Sequence, residues 1–263
     1  MLSRDMIALL ETGSTALELC RIVEEPGGGA PYLCTLIRLG LPPLASRASI
    51  VASHFIRESV AAYSDIPSFA IEDRPPRRFP FRNSPEEGLL LIILKVRDMT
   101  EVFTVYSPRE VTIVTHLRTL VALAITTSPG VTFIPWKNWG PRVTACFWHN
   151  PHTYNYYVPM GERLAMLSSS QPFLFDFNSS RIEDTIRRSD NSSWRNVHVT
   201  TVKHGSVISA ESMFREDVVG ELPYIYVVWT ASLGWDRIAS YEEGLAGLEL
   251  DVGDFPPSVA SRH

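Results

Sequence analysis

The chain has 263 residues, of which 45% are hydrophobic and 20% charged, which is typical of a folded globular protein. Its net charge of −5 argues against a non-specific nucleic-acid binder, whose surface is basic. The three cysteines lie far apart, which indicates a reducing compartment, and no apolar run is long enough for a signal sequence or a membrane span. We therefore expect a protein of the cytoplasm or nucleus that uses neither a nucleic-acid nor a membrane partner.

The first quarter of the chain predicts short β-strands separated by turns. Alternating or continuous apolar residues, bounded by glycine and proline, carry this prediction. The four predicted strands are Met6–Leu10, Ala16–Val23, Tyr32–Leu39 and Ala48–Ile56.

A change of composition follows between Asp65 and Glu87, where proline and arginine dominate. Proline cannot donate to a β-ladder, so we expect residues 65–87 to form a long exposed loop. Acidic residues lie beside its arginines, which favours local charge balance over a phosphopeptide-docking patch.

The most hydrophobic stretch, Gly88–Arg97, predicts a strand that is buried on both faces at the centre of its sheet. Glu101–Ser107 alternates and is expected to pair with it. Apolar residues then recur every three or four positions in Arg109–Thr126, which predicts an amphipathic helix, although the β-branched residues of Val111–Thr115 speak against it.

The stretch Val131–Trp148 holds three of the six tryptophans. Trp136 and Trp139 precede Gly140-Pro141, a pair typical of a turn, so we interpret the two tryptophans as core anchors at a β corner. The alternative is an aromatic wall on which a ligand stacks. Arg142–Trp148 is predicted to be a strand after this turn.

The remaining part of the chain again predicts mainly strands. Ser179–Arg188 predicts a short helix with Ser179 or Ser180 as its cap. The predicted strands are Tyr154–Val158 and Gly161–Ser168 (a hairpin closed through Pro159-Met160-Gly161), Phe173–Phe177, Val197–Lys203, Tyr224–Thr230 and Gly244–Leu250.

This pattern predicts one all-β domain over residues 1–255, followed by a flexible tail over residues 256–263. Similar strands at 17–22, 102–107 and 173–178 favour a propeller-like array of antiparallel sheets, open or incomplete, with one or two short helices. A sandwich or a barrel is the alternative architecture.

One cluster has the character of a metal site: Cys146, His149 and His152, spaced C-x-x-H-x-x-H. Zinc takes four ligands, or three and a water, and no fourth ligand is evident. On a strand, Cys146 would also face away from His149. We expect no metal and no cofactor. Because no G-x-S-x-G elbow and no carboxylate dyad is present either, we expect no enzymatic activity.

Several motifs, in order along the chain, resemble the C-terminal propeller-like region of F-box-like proteins from mushroom-forming (basidiomycete) fungi. They are W-x-x-W-G-P (Trp136, Trp139, Gly140, Pro141), Gly161, the D-F-N segment (Asp176, Phe177, Asn178), the E-D-V-V-x-x-L-P-Y motif (Glu216–Tyr224) and the acidic pair Glu242-Glu243. The resemblance assigns no catalytic residue. Its structural anchors are Trp136, Trp139, Gly140, Pro141, Asp176, Phe177, Pro223 and Tyr224.

The resemblance implies a non-catalytic protein-interaction module, like the part of a ubiquitin-ligase F-box protein that recognises substrate, with an unidentified protein partner. No F-box precedes Met6, so a truncated or stand-alone form is expected, with an unpaired sheet edge at Met6–Leu10 through which chains self-associate. The alternative function is a small-molecule-binding β-barrel or sandwich with a tryptophan-lined cavity.

Overall fold

The computed structural model of the protein describes residues 2, 5–11, 13–25, 27–57, 88–99, 108–127, 132–149, 155–168, 171–188, 197–210 and 213–229. Within these ranges the chain is mostly β and its strands form four sheets, which confirms the all-β prediction. The described part contains three short helices, where one or two were expected. The propeller-like arrangement stays a prediction. The predicted loop 65–87, the strand Gly244–Leu250 and the tail lie outside the described residues.

The amino-terminal sheet has the strand order β1-β2-β3-β7. Its strands are β1 (Met6–Leu9), β2 (Ala16–Val23), β3 (Tyr32–Gly40) and β7 (Phe133–Ile134). Leu17 and Leu19 alternate into the core, as a strand with one buried face requires. Only the two-residue β7, which pairs in parallel with β3, was not predicted.

The middle sheet has the order β4-β5-β6-β8. Its strands are β4 (Ala48–Arg57), β5 (Leu89–Asp98), β6 (Arg109–His116) and β8 (Thr144–His149). β5 is buried on both faces between β4 and β6, which confirms its predicted central position. Since β4 and β6 occupy both edges of β5, the predicted pairing of β5 with Glu101–Ser107 is wrong. Glu101–Ser107 itself lies outside the described residues.

The single helix predicted for Arg109–Thr126 is wrong in its first half. That half is strand β6, and only Leu117–Thr126 forms a helix, α1. The β-branched run Val111–Thr115 is buried, and stiff branched side chains pack well on a pleated surface. Burial on both faces of a sheet therefore overrides the apparent helical spacing.

The predicted Trp-Gly-Pro turn is also wrong. Residues Trp136–Val143 form a short helix, α2, with Pro141 inside it, and strand β8 begins only at Thr144. Positions three apart lie on one helix face, so the rings of Trp136 and Trp139 meet edge to face with their centroids 5.2 Å apart. Gly140 is needed for close packing, because a Cβ there would lie 2.3 Å from the Trp136 ring.

The large sheet has the order β12-β15-β11-β10-β9, so the last described strand lies between two earlier ones. Its strands are β9 (Asn155–Met160), β10 (Arg163–Ser168), β11 (Gln171–Asp176), β12 (Val197–Val202) and β15 (Tyr224–Trp229). Helix α3 (Ser179–Arg188) covers one face through Ile182, and β13 (Ser206–Ile208) pairs with β14 (Val218–Gly220) in a small hairpin.

Two local predictions in this region need correction. The β9–β10 hairpin turns at Gly161-Glu162, because Met160 pairs with Arg163 and Pro159 belongs to β9. Helix α3 is capped by Asn178 and not by Ser179 or Ser180, since the Asn178 Oδ1 accepts a hydrogen bond of 3.1 Å from the Arg181 amide.

The middle sheet separates two apolar clusters. Ile92, Ile113 and Cys146 pack on one face with the amino-terminal sheet and α2. Leu91, Val114 and Ala145 pack on the other face with the large sheet. The candidate site lies on this second side.

Candidate functional site: the interlayer cleft

Aromatic side chains line the face of the large sheet that meets the middle sheet. Phe173 and Phe175 of β11 share this face because side chains alternate along a strand, and Tyr226 lies opposite Phe175 in the pairing register. From the middle sheet, Phe147 packs against Phe175 and Tyr224 with ring centroids 4.8 and 5.4 Å apart. The two sheets therefore meet through an aromatic layer.

A cavity of about 520 Å³ opens at the edge of this layer. Phe147 and His149 of β8 form one wall, Phe173 and Tyr226 of the large sheet form another, and Ile208 of the small hairpin forms a third. Cavities of this size, apolar with a few polar groups, are those that bind small molecules or protruding side chains. We call this cavity, together with the adjoining edge of β8, the interlayer cleft.

The small hairpin covers only the first half of the outer edge of β8. The Cys146 amide donates to the Ser206 hydroxyl over 2.7 Å, and the Thr144 carbonyl accepts from the Leu222 amide over 3.0 Å. Gly220 lies so close that a Cβ there would be 2.6 Å from the Thr144 carbonyl oxygen. By the same alternation, the amide and carbonyl of Trp148 point outward, and no described residue bonds to them.

Polar groups surround His149, one of the residues that line the cleft. His149 and Glu110 are cross-strand neighbours, and the Tyr157 ring meets the His149 ring edge to face at 5.5 Å. The Tyr157 hydroxyl donates to Glu110 Oε1 over 2.9 Å and accepts from the Thr112 hydroxyl over 3.2 Å. The Nε2 atom of His149 is buried and has no hydrogen-bond partner among the described residues.

Burial sets the protonation of His149, of its neighbour Tyr157 and of Cys146. It lowers the pKa of His149 from 6.5 to about 4, against the opposing charge of Glu110, so the imidazole is neutral near pH 7. Burial also raises the pKa of Tyr157, which keeps its hydroxyl protonated, and raises the pKa of Cys146 to about 12. Cys146 is therefore a neutral thiol and not a nucleophile.

A second polar cluster, the Glu162 junction, ties the two sheets together at the β9–β10 turn. Arg118 Nη2 lies 3.0 Å and His116 Nδ1 3.6 Å from Glu162 Oε1. Neither contact has hydrogen-bond geometry, so His116 Nδ1 and Glu162 Oε1 remain without a partner among the described residues. Burial, followed by the charge of Arg118, lowers the pKa of His116 from 6.5 to about 4, while a hydrogen bond to the Phe177 backbone opposes the shift.

The neighbouring carboxylate, Asp176, is held at 3.2 Å by Arg163 and at 3.3 Å by Arg181, and it also accepts from the Asn178 amide. Burial nevertheless raises the pKa of Asp176. In the described part of the chain, no hydroxyl or thiol is hydrogen-bonded to His116 or His149. Neither histidine is therefore placed to activate a nucleophile there.

The structure separates most residues that the sequence singled out. Trp136 and Trp139 are buried on the other side of the middle sheet, where the Trp139 indole N–H donates to the Gly40 carbonyl over 2.8 Å. Neither lines the cavity, although Trp148 does. Gly140 and Pro141 belong to helix α2.

Of the other anchors, Asp176 and Phe177 are buried where β11 leads to α3, and the half-buried Pro223 precedes Tyr224 in the cleft. Cys146 and His149 face opposite sides of β8, and His152 lies outside the described residues. No group of three or more potential metal ligands occurs among the residues that the structure describes.

Sequence reasoning missed the cleft, although part of its signal was present. Phe173 and Phe175 alternate in one predicted strand, and Tyr224 and Tyr226 alternate in another. Two strands with aromatic residues on one face indicate a shared aromatic surface. The partnership of Glu110 and His149 carried no such signal, because it depends on which strands pair.

Comparisons with known proteins give no further guide, since no family model, no curated protein and no solved structure matches the chain. None of the described helices is long and apolar enough to cross a membrane.

Proposed function

We propose that the protein is a non-catalytic protein-interaction module that holds an extended segment of a partner in the interlayer cleft. The observation that carries this proposal is the position of the aromatic cavity beside the outward-pointing backbone groups of Trp148. Peptides that add a strand to a sheet edge gain affinity from main-chain hydrogen bonds and specificity from side-chain pockets. The cleft combines both elements.

The resemblance to the substrate-recognition region of F-box-like proteins supports the same function, since that region recruits a partner and performs no chemistry. The cleft agrees with a binding role because its histidine, His149, is neutral near pH 7 and burial raises the pKa of its tyrosines, Tyr224 and Tyr226, which keeps their hydroxyls protonated. These groups recognise a ligand through shape and hydrogen bonds.

The test is a quantitative affinity capture with three versions of the tagged chain. Tyr226→Ala removes part of one cavity wall, and Ile186→Ala changes an exposed position on α3 as a matched control. We expect a partner that is enriched by the wild type and by the control but lost with Tyr226→Ala. An identical set of proteins in all three captures would contradict the proposal.

A small aromatic molecule is a second candidate for the same cavity. The aromatic walls of the cavity favour it, because pockets for small molecules are lined mainly by apolar and aromatic side chains. Binding of a free aromatic compound without any bound peptide would distinguish this function from the first.

A further inference from the structure

We propose that the Glu162 junction is a pH-sensitive contact between the middle sheet and the large sheet, completed when one proton binds between His116 Nδ1 and Glu162 Oε1. His116 ends strand β6 of the middle sheet, and Glu162 lies in the β9–β10 turn of the large sheet. The geometry of these two side chains carries the proposal, which is independent of what the interlayer cleft binds.

The surroundings of His116 fix which of its nitrogens carries a proton near pH 7. Its ring makes a hydrogen bond to the Phe177 backbone that favours the charged ring, so the ring is the donor and the Phe177 carbonyl the acceptor. The Phe177 amide is already engaged, because it donates to the Glu162 carbonyl over 2.9 Å. Nδ1 has no hydrogen-bond partner among the described residues, so Nε2 makes this bond. Neutral His116 therefore presents Nδ1 as a bare acceptor.

Glu162 turns a second acceptor toward this nitrogen. Its Oε2 atom accepts from Asn178 Nδ2 over 2.5 Å, whereas its Oε1 atom lies 3.6 Å from His116 Nδ1. Both Nδ1 and Oε1 are buried, and neither has a hydrogen-bond partner in the described part of the chain. Two acceptors thus face each other without a hydrogen between them. One proton turns this repulsion into a charge-assisted hydrogen bond, which contracts the contact to about 2.8 Å.

The neighbouring charges decide when the proton binds. Arg118 of α1 lies 3.0 Å from Glu162 Oε1 and opposes a second positive charge, while Leu89, the neighbour of His116 on β5, carries none. The other charged groups near Glu162 are paired with one another: Asp176, Arg163 and Arg181. Burial, followed by Arg118, lowers the pKa of His116 to about 4. The contact is therefore unprotonated near pH 7 and takes up its proton in acid.

The junction lies where the turn of the large sheet meets the middle sheet. Beside it, the Leu89 amide donates to the Gly161 carbonyl over 3.1 Å, which ties the same turn to β5. The Glu162 side chain is 15% exposed and Arg118 covers it from the solvent side, so protons reach the pair through a small movement of Arg118. One proton consequently changes how the β9–β10 turn is attached to the middle sheet.

The first test compares the same substitution at Glu162 and at Glu183, an exposed position on α3. Glu162→Gln imitates the protonated pair, because its amide oxygen can accept from Asn178 while its amide nitrogen donates to His116 Nδ1. It supplies the missing hydrogen without a proton from solution. At pH 7 we expect the urea concentration at half unfolding to be at least as high for Glu162→Gln as for the wild type and for Glu183→Gln, although an ion pair is lost.

The second test follows the proton itself by nitrogen-15 NMR of the histidine rings. At pH 7, wild-type His116 should carry a proton on Nε2 and none on Nδ1, and Nδ1 should gain one as the pH falls. In Glu162→Gln this uptake should move to lower pH by about one pH unit or more, since no carboxylate favours the charged ring. Arg118→Ala should move it to higher pH, and Glu183→Gln should leave it unchanged.

Four results would overturn the proposal. They are a proton on Nδ1 of wild-type His116 at pH 7, a His116 titration that Glu162→Gln leaves unchanged, one that Arg118→Ala leaves unchanged or moves to lower pH, and a Glu162→Gln protein that is much less stable than Glu183→Gln at pH 7. Failure of Glu162→Gln to fold counts as the last of these, because it would show that the junction needs the carboxylate charge.

Discussion

The two faces of the middle sheet differ in how closely they are packed and in how polar they are. Toward the amino-terminal sheet, the sheet presents Ile92, Val111 and Ile113 to a close-packed apolar core that the Trp136–Trp139 pair closes. Toward the large sheet, the middle sheet presents Thr112, His116 and His149, and the packing leaves a cavity. The first face supplies stability, whereas the buried polar groups and the cavity of the second face both cost stability.

The largest loss of stability should come from a substitution in the core on the first face. Trp139→Ala should lower the free energy of unfolding by about 3–5 kcal/mol, because it removes a buried indole and its hydrogen bond to the Gly40 carbonyl. Urea unfolding measures this loss. Lys137→Ala, at an exposed position of the same helix, should change stability by less than about 0.5 kcal/mol. Similar losses in both variants would refute the anchoring role of Trp139.

A large aromatic residue of the second face should contribute less to the free energy of unfolding than Trp139 does. Phe175→Ala should cost about 3 kcal/mol, at the lower end of the usual range, since its ring already borders an open cavity. The comparison with Trp139→Ala in one denaturant series tests the difference between the faces. A loss larger than that of Trp139→Ala would show that the aromatic layer, and not the tryptophan core, dominates stability.

Acid should lower the free energy of unfolding through His149, which lies on the second face. The pKa of His149 is about 4 in the folded protein and 6.5 in the ordinary unfolded state, so the unfolded chain binds more protons between these values. The contribution of neutral His149 to the free energy of unfolding is complete above about pH 6.5 and is lost as the pH falls through about 4.

The variant His149→Phe isolates this contribution. Between about pH 7 and pH 4.5, its loss of unfolding free energy should be about 2–3 kcal/mol smaller than that of the wild type. His116 has the same shift and stays in both proteins, and the raised pKa of Asp176 acts in the opposite direction in both. Parallel stability–pH curves for the two proteins would contradict a buried neutral His149.

The smallest loss of stability should come from a substitution in the Glu162 junction. Arg118→Ala should cost less than about 1 kcal/mol, because the Arg118 side chain is 51% exposed and its ion pair with Glu162 is screened by solvent. Addition of salt should reduce even this difference. A salt-independent loss above about 2 kcal/mol would show that the junction contributes to stability as strongly as the core.

The sequence predicts best the elements whose local pattern agrees with their final environment. Ala16–Val23 alternates in the chain and has one well-buried face in the sheet, and Ser179–Arg188 forms the predicted helix. In each case, local preference and burial point the same way.

The sequence does not predict the position of a residue whose main contacts are made only in the folded protein. Gly140 and Pro141 have the chemistry of a turn, but Gly140 makes room for an indole within a helix. His149 meets Glu110 and Tyr157 only through the pairing of β6 with β8 and the packing of two sheets. Such contacts depend on register and topology, which no local pattern contains.

The position of β15 has a consequence for the order of events during synthesis. Tyr224–Trp229 lies between β11 and β12, although β11 ends at Asp176, so a newly made β11 lacks this neighbour until the ribosome has added the residues up to Trp229. Until then, an aromatic strand edge is exposed to other nascent chains. The late arrival of β15 therefore makes translation speed and chaperone supply the expected determinants of the yield of folded protein.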